Sequence, residues 1–166
     1  MKKLVLWFFL LSPAAYANAQ QTINFADLPD VAAATPLPTG YHSLTWSGVS
    51  YVDPFEATGM GPGFQNAGSI AGTDVAFGPG VCGTSGCYSS ISSPDGDFFQ
   101  LVNATVAAGY SSGTLTVLAY ANGTYVGSQT YSLTTDVQTL TFPQQWGNVT
   151  EMVLQGSFVM YNLTLN

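Results

Sequence analysis

The chain has 166 residues, a formal charge of −7 and only two basic side chains, Lys2 and Lys3. Beyond them no permanent cation exists, which excludes lysine Schiff-base chemistry, bidentate carboxylate or phosphate clamps and arginine fingers. The usual electrostatic footprint for nucleic acid or an anionic membrane surface is missing too.

Lys2-Lys3, the apolar run Leu4–Leu11 and the Ala17-Asn18-Ala19 cleavage pattern read as a secretory signal peptide over residues 1–19. An N-terminal membrane anchor is the alternative, but the run is too short to span a bilayer. No later stretch is long and apolar enough to span, and the C-terminal residues lack a lipid-anchor tail. The expected protein is therefore secreted and extracellular, with residues 20–166 as a single domain. All nine acids fall in that part, at Asp27, Asp30, Asp53, Glu56, Asp74, Asp95, Asp97, Asp136 and Glu151.

In chain order, residues 21–25 predict a first strand, and residues 41–52 a strand or a hairpin around Ser47-Gly48. Residues 59–94 are rich in Gly, Ser and Pro and predict long loops with one short strand near residues 74–77. Helical periodicity is not evident anywhere beyond residue 20. Six further strands are predicted at 97–107, 114–120, 124–133, 137–142, 149–154 and 157–165. Asn122-Gly123 is a two-residue hairpin signal, since both residues tolerate positive φ. Short connections between these strands predict an all-β fold, a sandwich of two antiparallel sheets.

Cys82 and Cys87 are the only cysteines, and in an oxidising compartment they predict one local disulfide. Asn103, Asn122, Asn148 and Asn162 each open an N-x-Thr sequon and make a glycoprotein the expectation in a eukaryotic host.

Catalytic motifs are weak. Gly109-Tyr-Ser-Ser-Gly113 matches G-x-S-x-G, but a strand rather than a helix follows, and the only histidine, His42, precedes it. His42 reads as a hydrogen-bonded strand-edge residue. Asp95-Gly96-Asp97 offers two carboxylates on a turn, oxygen ligands of the kind Ca²⁺ takes, although an Asp/Gly turn opening a strand is the favoured explanation. Asp53 with Glu56, or Asp95 with Asp97, are the nearest pairs for glycoside hydrolysis. Tyr41, Trp46, Tyr51, Phe55, Phe64, Tyr88 and Trp146 have rings able to stack on sugars. Trp46 is expected in the core, and Phe55, Phe64 and Tyr88, on predicted loops, are the candidate ligand-binding aromatics.

Phe25-Ala-Asp27-Leu28, followed by Pro38-Thr-Gly-Tyr41-His-Ser-Leu44-Thr-Trp46, resembles the opening of a broad group of secreted β-sandwich proteins of fungi and bacteria. The later segments Phe98-Phe-Gln-Leu101, Leu115-x-Val117-x-x-Tyr120 and Phe158-Val-Met-Tyr161-Asn162-Leu163-Thr-Leu165 are similar too. The resemblance implies a jelly-roll, galactose-binding-like fold of the carbohydrate-binding-module type. In that group the last strand usually reads F-x-x-D-N-x-x-L, whereas this chain has Tyr161 at the aspartate position. The resemblance implies Asp27 as a candidate ligand of a structural Ca²⁺, and Tyr161 removes the aspartate that would help hold that ion; no other cofactor is expected.

These readings favour a non-catalytic protein that binds carbohydrate or cell-wall polysaccharide. Two alternatives stand beside it: a carboxylate-dependent hydrolase working at acidic pH, and a surface, matrix or host-interaction protein without a small ligand.

Overall fold

A computed structural model describes residues 20–72, 74–79 and 88–166. The signal-peptide segment and the Cys82–Cys87 pair lie outside the described residues. The N-terminal half supplies β1 (Gln21–Asn24), β2 (Thr35–Pro36), β3 (Thr45–Ser47), β4 (Ser50–Val52), helix α1 (Pro62–Ala71), β5 (Val75–Phe77) and β6 (Tyr88–Ser92). The C-terminal half supplies β7 (Phe99–Ala107), β8 (Gly113–Ala121), β9 (Thr124–Leu133), β10 (Gln138–Thr141), β11 (Asn148–Val149), β12 (Glu151–Gln155) and β13 (Val159–Leu165).

These strands form two antiparallel sheets, as an all-β sandwich requires. One runs β10-β7-β13-β5-β4-β2, with β1 also pairing β13 and β11 pairing β7; the other runs β3-β6-β12-β8-β9. Period-two alternation builds the core between them. On β8, Leu115, Val117 and Ala119 are buried while Thr116, Leu118 and Tyr120 face outward and are half-exposed. Ile91 on β6 and Met152 on β12 extend the same buried layer, facing Leu101, Val106 and Leu163 of the first sheet. The Asn122-Gly123 turn joins β8 to β9 with φ of 50° and 75°, the left-handed geometry a two-residue hairpin needs.

The predicted strand 149–154 divides at Thr150, with β11 pairing β7 in one sheet and β12 pairing β6 and β8 in the other. Two further expectations are corrected. Residues 41–52 form no hairpin: β3 pairs β6 in one sheet, while β4 pairs β5 in the other. The chain changes sheets at Gly48, whose φ of 67° turns it without a side-chain clash. The second correction lies in the stretch predicted as long loops with one short strand: it also holds strand β6, which carries Tyr88, and helix α1. Pro62 sits at its first turn, Gly72 closes it with φ of 72°, and Gly63, Phe64, Ala67 and Gly68 form its buried face. Among the described residues no helix is long and apolar enough to cross a membrane.

The helix lies against the end of β7 at backbone distance. The Gly63 amide donates to the Gly109 carbonyl at 3.0 Å, and a Cβ on Gly63 would sit 1.8 Å from the Ala108 carbonyl oxygen. Only glycine fits there.

Strand β9 is an edge of its sheet and is exposed over most of its length. Two side-chain amides cap carbonyls near its C-terminal end. Gln138 Nε2 donates to Ser132 O at 2.8 Å, and Gln129 Nε2 to Thr130 O at 3.3 Å. Of the sequon asparagines, Asn122 and Asn148 are exposed, whereas Asn103 and Asn162 are half-buried within β7 and β13.

Candidate functional site

A cleft of about 320 Å³ opens where the end of β6, the start of β7, the end of β13 and the start of β1 meet. Its lining includes Gln21, His42, Ser43, Ser93, Asp95, Asp97, Phe98 and Asn166, with Leu44, Phe99 and Leu165 as the apolar remainder.

One wall is the β6–β7 loop. Ser93 organises it: its amide donates to Thr150 O at 3.0 Å, and its Oγ accepts the Asp97 amide at 2.9 Å. Gly96, with φ of 74°, completes the turn. Asp95 and Asp97 are thereby held in solvent at the head of β7. Alternation then separates the Phe98-Phe99 doublet, so that Phe99 is 8% exposed in the core and Phe98 is 51% exposed beside the carboxylates.

The other wall is a strained turn. Gly40, His42 and Ser43 have φ of 75°, 52° and 60°. For the two non-glycine residues this region costs roughly 1–2 kcal/mol each. The turn is over-determined by its surroundings: Ser43 N donates to Gly40 O at 2.8 Å and Trp46 Nε1 to Tyr41 O at 2.9 Å. The Tyr41 ring stacks on Phe25 at 6.0 Å and meets the His42 ring edge-on at 4.5 Å. The Tyr41 hydroxyl shares its proton between Asp27 Oδ1 at 2.5 Å and Asn24 O at 2.7 Å.

His42 is fixed from both sides. Gln21 Nε2 lies 3.1 Å from Nδ1, and Nε2 lies 3.8 Å from Asp27 Oδ2. With Gln21 as donor, Nδ1 accepts and the ring proton sits on Nε2, facing the carboxylate. His42 thus acts as an oriented polar group at the cleft, supported by Asp27 behind it.

Burial, the Asp27 hydrogen bond, and the negative charges of Asp27 and the buried Asp74 hold the Tyr41 phenol well above its ordinary pKa. Since the folded value is the raised one, this contribution to stability is complete below about pH 10 and is lost as pH rises through the folded value. Tyr41→Phe is therefore expected to cost about 1 kcal/mol at neutral pH, through the lost hydrogen bonds. Above pH 10 the variant should lose less further stability than the parent. Urea unfolding at pH 7 and across pH 9–11 measures both effects.

Asp95, Asp97 and His42 come together at the cleft. Asp27 does not join the two carboxylates, being occupied with Tyr41 and His42. Among the described residues no group of three His, Cys, Asp or Glu is placed to hold a metal. Phe64, expected on an exposed loop, is corrected: as part of the inner face of α1 it is 5% exposed, against Phe77 at 5.3 Å. Phe55 and Tyr88 are exposed but stand elsewhere, Phe55 beside Gly68 of α1 and Tyr88 at the head of β6. Trp46 packs partly buried against the core, as expected, and Trp146 is buried. Phe98 was missed. Its signal was an aromatic doublet directly after an Asp-Gly-Asp turn, where period two sends one ring inward and one outward.

A second depression of about 310 Å³ adjoins the first through Asn166 and carries the amides of Gln20, Gln100 and Gln144.

No protein-family model matches the chain, and no curated protein matches it. Solved structures do. A DUF4465 family protein from Bacteroides caccae aligns with a TM-score of 0.55 at 12% identity, over 90% of this chain and 87% of that one. That likeness agrees with the all-β sandwich. A family 32 carbohydrate-binding module from C. perfringens NanJ, solved with galactose, aligns with a TM-score of 0.36 at 17% identity, over 74% of this chain and 94% of that one. It is too distant to carry an argument.

Proposed function

We propose that the chain is a secreted, non-catalytic sandwich protein whose end cleft binds carbohydrate. The observation that carries this is Phe98: a half-exposed ring in a cleft otherwise rimmed by carboxylates, amides, hydroxyls and an imidazole. A sugar presents the complement, an apolar C–H face for the ring and hydroxyls for the polar rim. The adjoining amide-lined depression lengthens the surface, which favours an oligosaccharide over a single unit.

Phe98→Ala is expected to weaken oligosaccharide binding on the order of tenfold while changing stability by less than about 0.5 kcal/mol. A glycan array followed by calorimetric titration of parent and variant tests this. Failure of the parent to bind any neutral, basic or acidic glycan would sink the reading.

The hydrolase alternative has less support. Asp95 and Asp97 come from one loop, and the other segments lining the cleft contribute no carboxylate side chain to oppose them. Release of reducing ends during the titrations would reverse that judgement.

A further inference from the structure

We infer that the cleft selects amino sugars: its ligand class is an oligosaccharide of glucosamine type that carries free ammonium groups, preferred over neutral sugars, with acidic sugars excluded. This rests on the carbohydrate reading of the same cleft and adds the charge of the ligand to it.

Asp95 and Asp97 are both exposed and both line the cleft, on the same loop as the Phe98 ring. A sugar stacked on that ring brings its substituents to the two carboxylates. An ammonium there gains charge-assisted hydrogen bonds, a hydroxyl gains ordinary ones, and a carboxylate or sulfate meets repulsion.

No lysine or arginine side chain of residues 20–166 offsets this. None is present there, so no side chain carries a permanent cation; the positive group nearest the cleft is the α-amino group that cleavage after Ala19 would leave on Gln20, in the adjoining depression next to the cleft-lining Gln21. His42 is the one histidine, and its ring is already placed between the Gln21 amide and the Asp27 carboxylate. An anionic sugar would therefore find no lysine or arginine to pair with at the two carboxylates. Because the pairing is solvent-exposed, the preference is moderate and sensitive to salt: on the order of tenfold at low ionic strength, shrinking as the screening length shortens.

The test titrates the full chain with glucosamine oligomers, N-acetylglucosamine oligomers of equal length and oligogalacturonate. The pH is one at which the amines are protonated, and each ligand is measured at about 20 mM and 500 mM salt. The expected result is about tenfold tighter binding of the free-amine oligomer at low salt, a smaller ratio at high salt and no binding of oligogalacturonate. Equal affinities, a ratio indifferent to salt, or binding of the uronate would overturn the inference while leaving carbohydrate binding in place. Absence of binding to all three and to neutral glucans would remove both readings together.

The variant D95N/D97N should bring the amine-to-acetyl ratio close to one. D136N, on the β9–β10 loop away from the cleft, should keep the parent's ratio. Equal loss in both variants would assign the effect to overall charge and overturn the site. The salt series on the parent needs no variant to fold.

Discussion

Replacing Trp146 with alanine is expected to remove about 3–5 kcal/mol of unfolding free energy, the range for deleting a large buried aromatic. Its indole is 7% exposed, stacks on Phe142 at 6.3 Å and fills the space a side chain at position 127 would need. A Cβ on Gly127 would lie 2.5 Å from Trp146 Nε1. The tryptophan and the glycine are thus two halves of one packing solution, in which β9 has a gap and the ring from the segment after β10 occupies it. In guanidinium unfolding the midpoint should fall sharply with little change in slope. The folded fraction should still bind whatever the cleft binds. A variant of parental stability that had lost oligosaccharide binding would instead return Trp146 to the set of stacking rings.

The second large effect runs against helix propensity. Alanine is better than glycine in a helix by about 1 kcal/mol, so Gly63→Ala would stabilise an isolated α1. In this fold it should destabilise by about 3 kcal/mol. The added methyl meets the Ala108 carbonyl, a backbone atom that no rotamer change can move. The melting temperature should drop by roughly 6–12 °C for a domain of this size. Gly113→Ala, where nothing lies within 4 Å, provides the comparison and should move it little. If Gly63→Ala melts at or above the parent, the close contact between α1 and β7 is wrong.

Most strands of the second half were legible as Thr-, Val-, Tyr- and Phe-rich runs between turn residues. Strand β8 reads as a strand although it carries apolar residues at both parities, Leu115, Val117 and Ala119 against Leu118 and Tyr120, and Asn122-Gly123 announces its own turn. Helix α1 was not legible, because the features that let it pack close to β7 are the ones that disguise it. Gly61, Gly63, Gly68 and Gly72 read as loop residues by composition. What remained was the spacing of Phe64, Ala67 and Gly68 between a proline start and a glycine stop. The hairpin read into residues 41–52 failed for a related reason. Trp46 and Tyr51 both point into the core, and a local pattern cannot say that they do so from opposite sheets.

The cleft was legible in pieces and not as a whole. Asp95-Gly96-Asp97 and His42 each stood out in the sequence, yet each had an adequate ordinary explanation taken alone. What joins them is long-range pairing: β1 with β13 and β13 with β7 carry Gln21, Asn166 and Phe98 to one place. The strained Gly40–Ser43 turn then adds the imidazole. Left-handed φ at His42 and Ser43 is a property of backbone, and no residue type there advertised it.

The two amides along β9 bear on how the protein stays in solution. Exposed strand edges invite other chains to add to them, and lysine is a common guard, which this chain lacks beyond Lys3. A carboxylate in that role would be neutralised in acid and leave the edge open. Gln138 and Gln129 hold their carbonyls with groups that neither gain nor lose a proton across the acidic range. The protection these two amides give their carbonyls should accordingly depend little on acidity.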